Sequence, residues 1–168
     1  RVPHADRTLT KIAASGEERA VIAGGTAGLG VGVAAQALPQ VANGTLAVVG
    51  CDPIAMTALI ALKNAGISDQ ITVVEDHDAR RTLAAGFAKT TITSEEVEAQ
   101  YKFDVVLVGS IREYPGFETV RSLIKPGGSI IFAEPYGPTR VSEQEIAFPE
   151  DVTVSATSWP TVENAGKI

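Results

Sequence analysis

The chain has 168 residues, enough for one domain that buries roughly 70% of its unfolded surface and too few for two ordinary domains. Hydrophobic residues make up 45% and aromatic residues 5%, which is typical of a soluble globular protein with a core of Val, Ile, Leu and Ala. The net charge of −6 and the scattered Lys and Arg exclude a nucleic-acid surface.

The numbers of cysteine and histidine residues limit the disulfides and metal sites that this chain could form. The single cysteine excludes an internal disulfide and favours a reducing, cytoplasmic setting. Together with His4 and His77 it offers no metal-ligand spacing, so we expect no zinc site made by this chain alone. No apolar run reaches the length of a membrane span, and we expect no membrane partner.

The first part of the chain is irregular in pattern. Residues 1–19 are polar with short apolar groups and predict an extended lead-in segment. Ala20–Leu38 carries five glycines, each costing about 1 kcal/mol inside a helix, so a helix is predicted only over Val31–Leu38, with Pro39 ending it. Gly24–Gly30 is superficially similar to the phosphate loop of short-chain dehydrogenases, but that family's Tyr-x-x-x-Lys pair is absent from the sequence, and a packing segment is favoured.

From Thr45 onward, short Val/Ile/Leu runs alternate with amphipathic segments. Such runs indicate strands buried on both faces, and the alternation indicates right-handed crossovers in a parallel sheet. The sequence therefore predicts an α/β fold, with a turn at Lys125–Gly128. Strands are predicted over residues 45–49, 71–76, 90–93, 104–110, 129–135 and 152–159, and helical segments over 53–66, 78–87, 94–101 and 116–128.

The hexapeptide Gly50–Ala55 joins the first strand to its helix, where dinucleotide-binding proteins carry G-x-G-x-x-G/A. Gly50 fills the turn position and Ala55 the third, but Asp52 replaces the glycine that lets the backbone approach a pyrophosphate. Two interpretations stay open: weakened cofactor binding by Gly50, Asp52, Pro53, Ile54 and Ala55, or an inherited turn that binds nothing.

Glu75 ends the second strand about 25 residues past Gly50, where dinucleotide-binding folds place the acid that holds the adenosine ribose. An acid there favours NAD over NADP, a preference that Arg80 and Arg81 could weaken. The alternative is that Glu75 only ends a strand in a polar turn.

Cys51 is predicted to lie near a helix N-terminus, which lowers the pKa of a thiol. No histidine lies close to it in sequence, so nucleophilic Cys/His catalysis is not expected. At the other end of the chain, Val152–Trp159 alternates Val with Ser or Thr and predicts a half-exposed edge strand, with Trp159 as an edge or interface anchor.

Taken together, these segments resemble the zinc-type medium-chain alcohol and formaldehyde dehydrogenases over nearly the whole chain. RVPHADRTLTKI is similar to the segment that leaves their catalytic domain, GGTAGLGVGVAA to their glycine-rich helix, and LAVVGCDPIAM to V-A-V-x-G-x-G-P-I-G-L. ITVVEDHDARRTLAAGFA is similar to their second strand and its helix, SLIKPGGSIIFAEP to the fifth strand region, and VTVSATSW to the sixth strand.

The resemblance implies a doubly wound, mainly parallel six-stranded Rossmann sheet with helices on both faces, formed by residues 20–168 as a single domain. It implies NAD lying over Gly50–Ala55 with its nicotinamide end near Gly109, Ser110 and Ala133, and a homodimer paired through Val152–Trp159. The family's catalytic domain would precede this chain. Ala23 or Gly24 stands where the family has a zinc-binding Cys, which implies no zinc at that place.

Three functions are consistent with these patterns. The first is an NAD(H)-type coenzyme-binding domain that is not self-sufficient in catalysis. The second is a non-catalytic Rossmann domain used for dimerisation or for docking a partner protein. The third is an S-adenosylmethionine-dependent methyltransferase-like domain, although its glycine-rich loop and reversed hairpin strand are not evident.

Overall fold

A computed structural model describes residues 17–41, 44–109, 116–133 and 151–156, and for residues 17–25 it describes the backbone alone. Ser110 and Trp159, both singled out by the sequence, lie outside the described residues, as do residues 1–16.

The chain alternates strands with helices from residue 46 onward. The helices are α1 (Glu17–Val41), α2 (Pro53–Asn64), α3 (Asp78–Ala84) and α4 (Phe117–Leu123). The strands are β1 (Leu46–Val49), β2 (Ile71–Val74), β3 (Thr90–Ile92), β4 (Phe103–Val108), β5 (Ile124–Phe132) and β6 (Thr153–Ala156). Two 3₁₀ turns cover Ser68–Gln70 and Ser94–Glu96.

The described strands form one six-stranded sheet in the order β3-β2-β1-β4-β5-β6. Every neighbouring pair is parallel, with Leu46 of β1 paired to Ile71 of β2 and to Val105 of β4. This confirms the predicted doubly wound Rossmann-type sheet. The parallel pairing of β5 with β6 differs from the reversed hairpin strand of methyltransferases.

Side chains on the two faces of the sheet form two separate apolar clusters, because successive residues of a strand point to opposite faces. Leu46 and Val48 of β1 pack with α1, α2 and the end of α3, whereas Ala47 and Val49 pack with α4. Helices therefore cover both faces. On α1 the residues facing the sheet recur at helical spacing and are fully buried or nearly so: Val33, Ala34, Ala37 and Val41.

Helix α1 is longer than the sequence predicts. It begins at Glu17, inside the segment expected to be extended, and it runs through all five glycines and past Pro39. The prediction of a helix over Val31–Leu38 alone is therefore wrong. Tertiary packing outweighs propensity here, because a Cβ on Gly30 would lie 2.5 Å from the Cβ of Thr57, so glycine lets α1 approach α2 closely.

Pro39 is tolerated near the end of α1 for a simple reason. It has no N–H to donate to the carbonyl of Ala35, but both residues are exposed, so water can bond to that carbonyl. No helix in the part of the chain that the structure describes is both long and apolar enough to cross a bilayer.

The segment around Lys125–Gly128 also differs from the prediction. The helix predicted to reach Gly128 ends at Leu123, and β5 begins at Ile124, which is buried and paired with Phe103. The next pair joins Ser129 to Val105, so residues 125–128 form a bulge-like irregularity in the pairing of β5 with β4. Gly127 has a φ of 74°, so the glycine turn that the sequence predicts here is retained within the strand.

Strand β6 lies at one edge of the described sheet, as predicted. Its side chains are exposed or half-buried, and Val154 is 49% exposed. Gln36 Nε2 on α1 donates a 2.7 Å hydrogen bond to Ser155 Oγ on β6. This hydrogen bond connects the edge strand to α1.

Asp104 connects the amino-terminal ends of three neighbouring strands, β1, β4 and β5. Its carboxylate accepts hydrogen bonds from Thr45 N at 2.8 Å and Thr45 Oγ1 at 2.9 Å, and from Lys125 Nζ at 2.9 Å. The Lys125 ammonium, aided by the Thr45 amide, lowers the pKa of Asp104 from 3.8 to about 2. A group whose pKa is lowered on folding stabilises the fold above its unfolded pKa and loses that contribution as the pH falls through its folded pKa.

We therefore expect Asp104→Asn to lower the free energy of unfolding by about 1 kcal/mol at pH 7, a modest value because the carboxylate is partly exposed. The deficit should shrink between about pH 4 and pH 2, as measured by urea unfolding at several pH values. Asp69→Asn, on an exposed turn, is the control and should change stability by less than about 0.5 kcal/mol. A deficit that stays constant across this range would contradict the assignment.

Candidate functional site

The residues singled out at strand ends converge on the carboxyl edge of the sheet. Gly50 follows β1, Glu75 follows β2, Gly109 follows β4, and Ala133 follows β5. Strand order reverses between β1 and β4, and the crevice at such a reversal is where open α/β sheets bind ligands. The structure thus brings together the predicted site residues that lie within its described part.

Gly50 makes the tight turn that the sequence predicts. Its φ is 77°, a left-handed conformation that favours glycine, and its N–H donates to Val74 O at 2.9 Å. Gly109 closes the turn from the other side. A Cβ on Gly109 would lie 2.3 Å from Gly50 O and 3.0 Å from the Cβ of Ala55, so the loops after β1 and β4 are in direct backbone contact.

Asp52 is the N-cap of α2. Its backbone is extended, with φ −68° and ψ 172°, and its Oδ1 accepts a 2.7 Å hydrogen bond from Ala55 N. The residue is buried. A carboxylate in this place satisfies an unpaired N–H of the first turn and interacts favourably with the positive end of the helix dipole.

The first turn of α2 consequently has little left to offer an anion. Pro53 has no N–H, Ala55 donates to the Asp52 side chain, and Met56 donates to the Asp52 carbonyl at 2.9 Å. A pyrophosphate placed here would meet the carboxylate of Asp52 where the glycine fingerprint provides open backbone. The negatively charged Asp52 therefore opposes a pyrophosphate in this position.

Glu75 is fully buried, and its carboxylate faces the protein. Oε2 accepts a 2.6 Å hydrogen bond from Cys51 N, and Oε1 accepts a 2.8 Å bond from His77 N. The carboxylate therefore joins the Gly50 turn to the loop that precedes α3. Because Glu75 is fully buried, a ribose could reach its carboxylate only if the loops that cover it moved apart.

Two arginines on α3 surround the end of β2. Arg80 Nε lies 3.4 Å from Glu75 Oε2 and forms an ion pair with it. Arg81 Nη1 donates to Glu75 O at 2.9 Å and to Asp76 O at 3.2 Å, and its Nη2 is bonded to Asp78. The sequence places both arginines near the site. It does not predict that Arg81 is hydrogen-bonded to backbone carbonyls while Arg80 forms an ion pair with the carboxylate of Glu75.

Cys51 behaves differently from its sequence-based expectation. Burial raises the pKa of the Cys51 thiol to about 12, and the negative charges of Glu75 and Asp52 add to this effect. The expectation of a lowered pKa at a helix N-terminus is therefore wrong, because desolvation and two nearby carboxylates outweigh the helix dipole. The thiol is protonated and unreactive at neutral pH.

The glycine-rich segment Gly24–Gly30 is helical and lies within α1, so its backbone does not form a phosphate loop. Ala23 and Gly24, which stand where the resemblance would place a zinc-binding Cys, lie in the same helix. Among the described residues, no three His, Cys, Asp or Glu side chains are grouped so that they could hold a metal ion.

Sheet order, crossovers and the Gly50 turn define a Rossmann-type α/β domain. No protein-family model matches the chain, and no curated protein matches it. Its neighbours among solved structures are medium-chain zinc alcohol dehydrogenase-like proteins, as the sequence resemblance predicts.

Three of these neighbours illustrate the likeness. L-idonate 5-dehydrogenase from Escherichia coli superposes with a TM-score of 0.67 at 15% identity, over 92% of this chain and 46% of that chain. Alcohol dehydrogenase TADH from Thermus sp. ATN1 gives 0.65 at 19% identity, over 94% and 48%. S. aureus TarJ in complex with NADPH gives 0.62 at 16% identity, over 82% and 46%. The chain thus spans a little under half the length of these proteins, and at these identities the likeness establishes the fold.

Proposed function

We propose that this chain is the coenzyme-binding domain of an oxidoreductase of the medium-chain alcohol dehydrogenase type, and that it binds a nicotinamide dinucleotide weakly across Gly50–Ala55. The fold, the glycine turn and the grouping of strand ends support this proposal, and TarJ, one of the neighbours, has been solved with NADPH. By the same resemblance, the reacting groups would belong to a catalytic domain, so this chain alone would hold a coenzyme without turning over a substrate.

The observation that carries the proposal is the glycine turn at Gly50 between strand β1 and helix α2, and the Asp52 carboxylate is the feature that limits the affinity. The strand, turn and helix of a dinucleotide site are present, but the anion that caps α2 belongs to the protein. The coenzyme pyrophosphate would compete with this carboxylate for the same end of the helix. The backbone arrangement of a coenzyme site is therefore present, and we expect the affinity for the coenzyme to be low.

The test is an isothermal titration of NADH and NADPH into the full chain and into Asp52→Gly. We expect the variant to bind at least one dinucleotide about tenfold or more tightly than the natural chain, because it loses a buried like charge and regains the backbone approach. Glycine is also an acceptable N-cap, so the fold should tolerate the change.

A control variant tests whether the gain in affinity is specific to Asp52. Asp69→Gly, on an exposed turn away from this edge, should leave the affinity unchanged. No heat from either protein at millimolar dinucleotide would contradict the proposal.

That negative result would favour the second candidate, a Rossmann domain used for dimerisation or partner docking. The specific observation behind this alternative is β6, whose outer edge is unpaired among the described strands and whose Val154 is half-exposed.

A further inference from the structure

A buried carboxylate lies next to the proposed coenzyme site, at the end of β2. In a dinucleotide-binding fold the acid at this place accepts a hydrogen bond from the 2′-hydroxyl of the adenosine ribose. Here Glu75 is fully buried, and each of its oxygens already accepts a hydrogen bond, from Cys51 N at 2.6 Å and from His77 N at 2.8 Å. Arg80 Nε, itself buried, lies 3.4 Å from Glu75 Oε2. The carboxylate is therefore engaged with the protein at both oxygens.

Turning Glu75 toward a ribose would cost more than it returns. Two N–H groups would lose their acceptor, and Cys51 is almost fully buried, so the whole desolvation penalty of its N–H would remain. A ribose hydroxyl, in contrast, only exchanges a hydrogen bond with water for one with the carboxylate, and the net gain of such an exchange is small. We therefore expect Glu75 to keep its inward position when a nucleotide is bound.

The two neighbouring acids are also engaged with the protein. Asp76 Oδ1 accepts a hydrogen bond from Ser94 N at 2.7 Å, and Asp76 Oδ2 accepts one from Ser94 Oγ at 2.8 Å. Asp78, in the first turn of α3, is paired with Arg81. Each of the three acids that follow β2 thus has a partner within the protein, and none of them is held ready for a ribose.

We propose that Glu75 is a positioning residue, which holds the Gly50 turn and the loop before α3 in place without touching the ribose, so that the chain binds 2′-deoxyadenosine nucleotides as tightly as adenosine nucleotides. This inference rests on the proposed function and extends its ligand class to deoxyribonucleotides. Glu75 acts through Cys51 N, next to Gly50 in the turn, and through His77 N in the loop. Loss of the carboxylate therefore weakens the binding of both kinds of nucleotide by the same factor.

The experiment compares AMP with 2′-deoxy-AMP, which differ only in the 2′-hydroxyl, by ligand-observed NMR titration of the natural chain and of Asp52→Gly. The affinities of the two nucleotides are expected to agree within about twofold in each protein. A carboxylate that accepts the 2′-hydroxyl would favour AMP about tenfold or more. A preference of that size would overturn the proposal.

A substitution of Glu75 distinguishes positioning from contact. Glu75→Gln keeps the side-chain volume but turns an N–H toward one of the two backbone donors. We expect it to weaken the binding of AMP and of 2′-deoxy-AMP by the same factor, at least about fivefold, with their ratio unchanged. Glu95→Gln, the same change at an exposed position, is the matched control and should alter neither affinity. A loss confined to AMP, or no loss for either nucleotide, would contradict the positioning role.

A measurement without nucleotide tests the link between the two loops directly. Hydrogen exchange followed by NMR reports on the Cys51 and His77 amides, and a hydrogen-bonded amide exchanges slowly. We expect both amides to be protected in the natural chain, and at least one of them to exchange about tenfold faster in Glu75→Gln. Rapid exchange of both amides in the natural chain would overturn the proposal even if the variant keeps its fold by circular dichroism.

Failure of this proposal is distinguishable from failure of the proposed function. If Asp52→Gly binds NADH and the chain prefers AMP tenfold, the coenzyme site is kept and the positioning role is removed. If neither mononucleotide nor NADH binds to either protein, the proposed function fails and the deoxyribonucleotide ligand class fails with it, while the amide exchange still decides whether Glu75 joins the two loops.

Discussion

Replacing Glu75 by alanine is expected to lower the free energy of unfolding by about 3 kcal/mol with no nucleotide in the sample. The alanine leaves the N–H groups of Cys51 and His77 without the carboxylate that now accepts from them. Each buried donor left without a partner costs about 1–3 kcal/mol, and Cys51 is almost fully buried. Urea unfolding at pH 7, followed by circular dichroism, measures the loss.

A graded series makes this expectation specific. Glu75→Gln keeps the side-chain volume and one acceptor oxygen but turns an N–H toward the second amide, so its loss should be smaller than that of alanine. Glu95→Ala, at an exposed position, should change stability by less than about 0.5 kcal/mol. Equal stability of Glu75→Ala and the natural chain would show that the carboxylate does not hold the two loops together.

The double attachment of Glu75 affects how binding experiments are interpreted. A Glu75→Ala protein that no longer binds NADH has lost a loop support as well as an acid, so the loss alone does not identify a ribose ligand. Asp52 is a better position for testing binding, because its carboxylate accepts from Ala55 N, whereas the bonds that hold the two loops together are those of Glu75 to Cys51 N and His77 N.

Gly109→Ala is expected to destabilise the chain by about 3 kcal/mol, at the upper end of the usual cost of overpacking. The added Cβ would lie 2.3 Å from Gly50 O, a backbone atom that cannot rotate away as a flexible side chain can. The turn after β1 would have to move, so we also expect weaker dinucleotide binding in the Asp52→Gly background. Thermal unfolding and NADH titration of the double variant give the two readouts.

Gly86→Ala is the matched control for this substitution. A Cβ at Gly86 would meet only Leu83 O, at an ordinary contact distance of 3.7 Å. Its effect should be within about 0.5 kcal/mol. If both alanine variants were equally stable, the close contact between the loops after β1 and β4 would not be a property of the protein in solution.

Most of the fold could be predicted from the sequence because a parallel sheet covered by helices leaves a strong pattern. Strands such as Phe103–Val108 are buried on both faces and consist almost wholly of apolar residues. The turn at Gly50 was predictable for a related reason, since a glycine directly after such a run indicates a strand-to-helix turn.

The structure differs from the sequence-based prediction where residues distant in sequence come into contact. Propensity argues against a helix through the glycines of α1, but the contact of Gly30 with Thr57 on α2 lies outside any local pattern. Ile124 belongs to a strand because Phe103 pairs with it, and that pairing is likewise non-local.

Within the site, the sequence predicts which residues lie at the carboxyl edge of the sheet, but it does not predict the orientation of their side chains. Glu75 stands at the expected position, yet its orientation toward Cys51 N and His77 N depends on the path of two loops. The same applies to the Cys51 thiol, whose raised pKa follows from burial that a single sequence does not reveal.

The capping of α2 by Asp52 also bears on how ligands of this protein can be found. A helix end that carries its own anion is complete without a coenzyme, so the ligand binds weakly and stabilises the fold by mass action only where its concentration well exceeds Kd. At a ligand concentration equal to Kd that gain is only about 0.4 kcal/mol, and the resulting shift in Tm is small. Screening by thermal shift at ligand concentrations near Kd would therefore overlook weak ligands of the natural chain, and direct measurement of binding is the suitable approach.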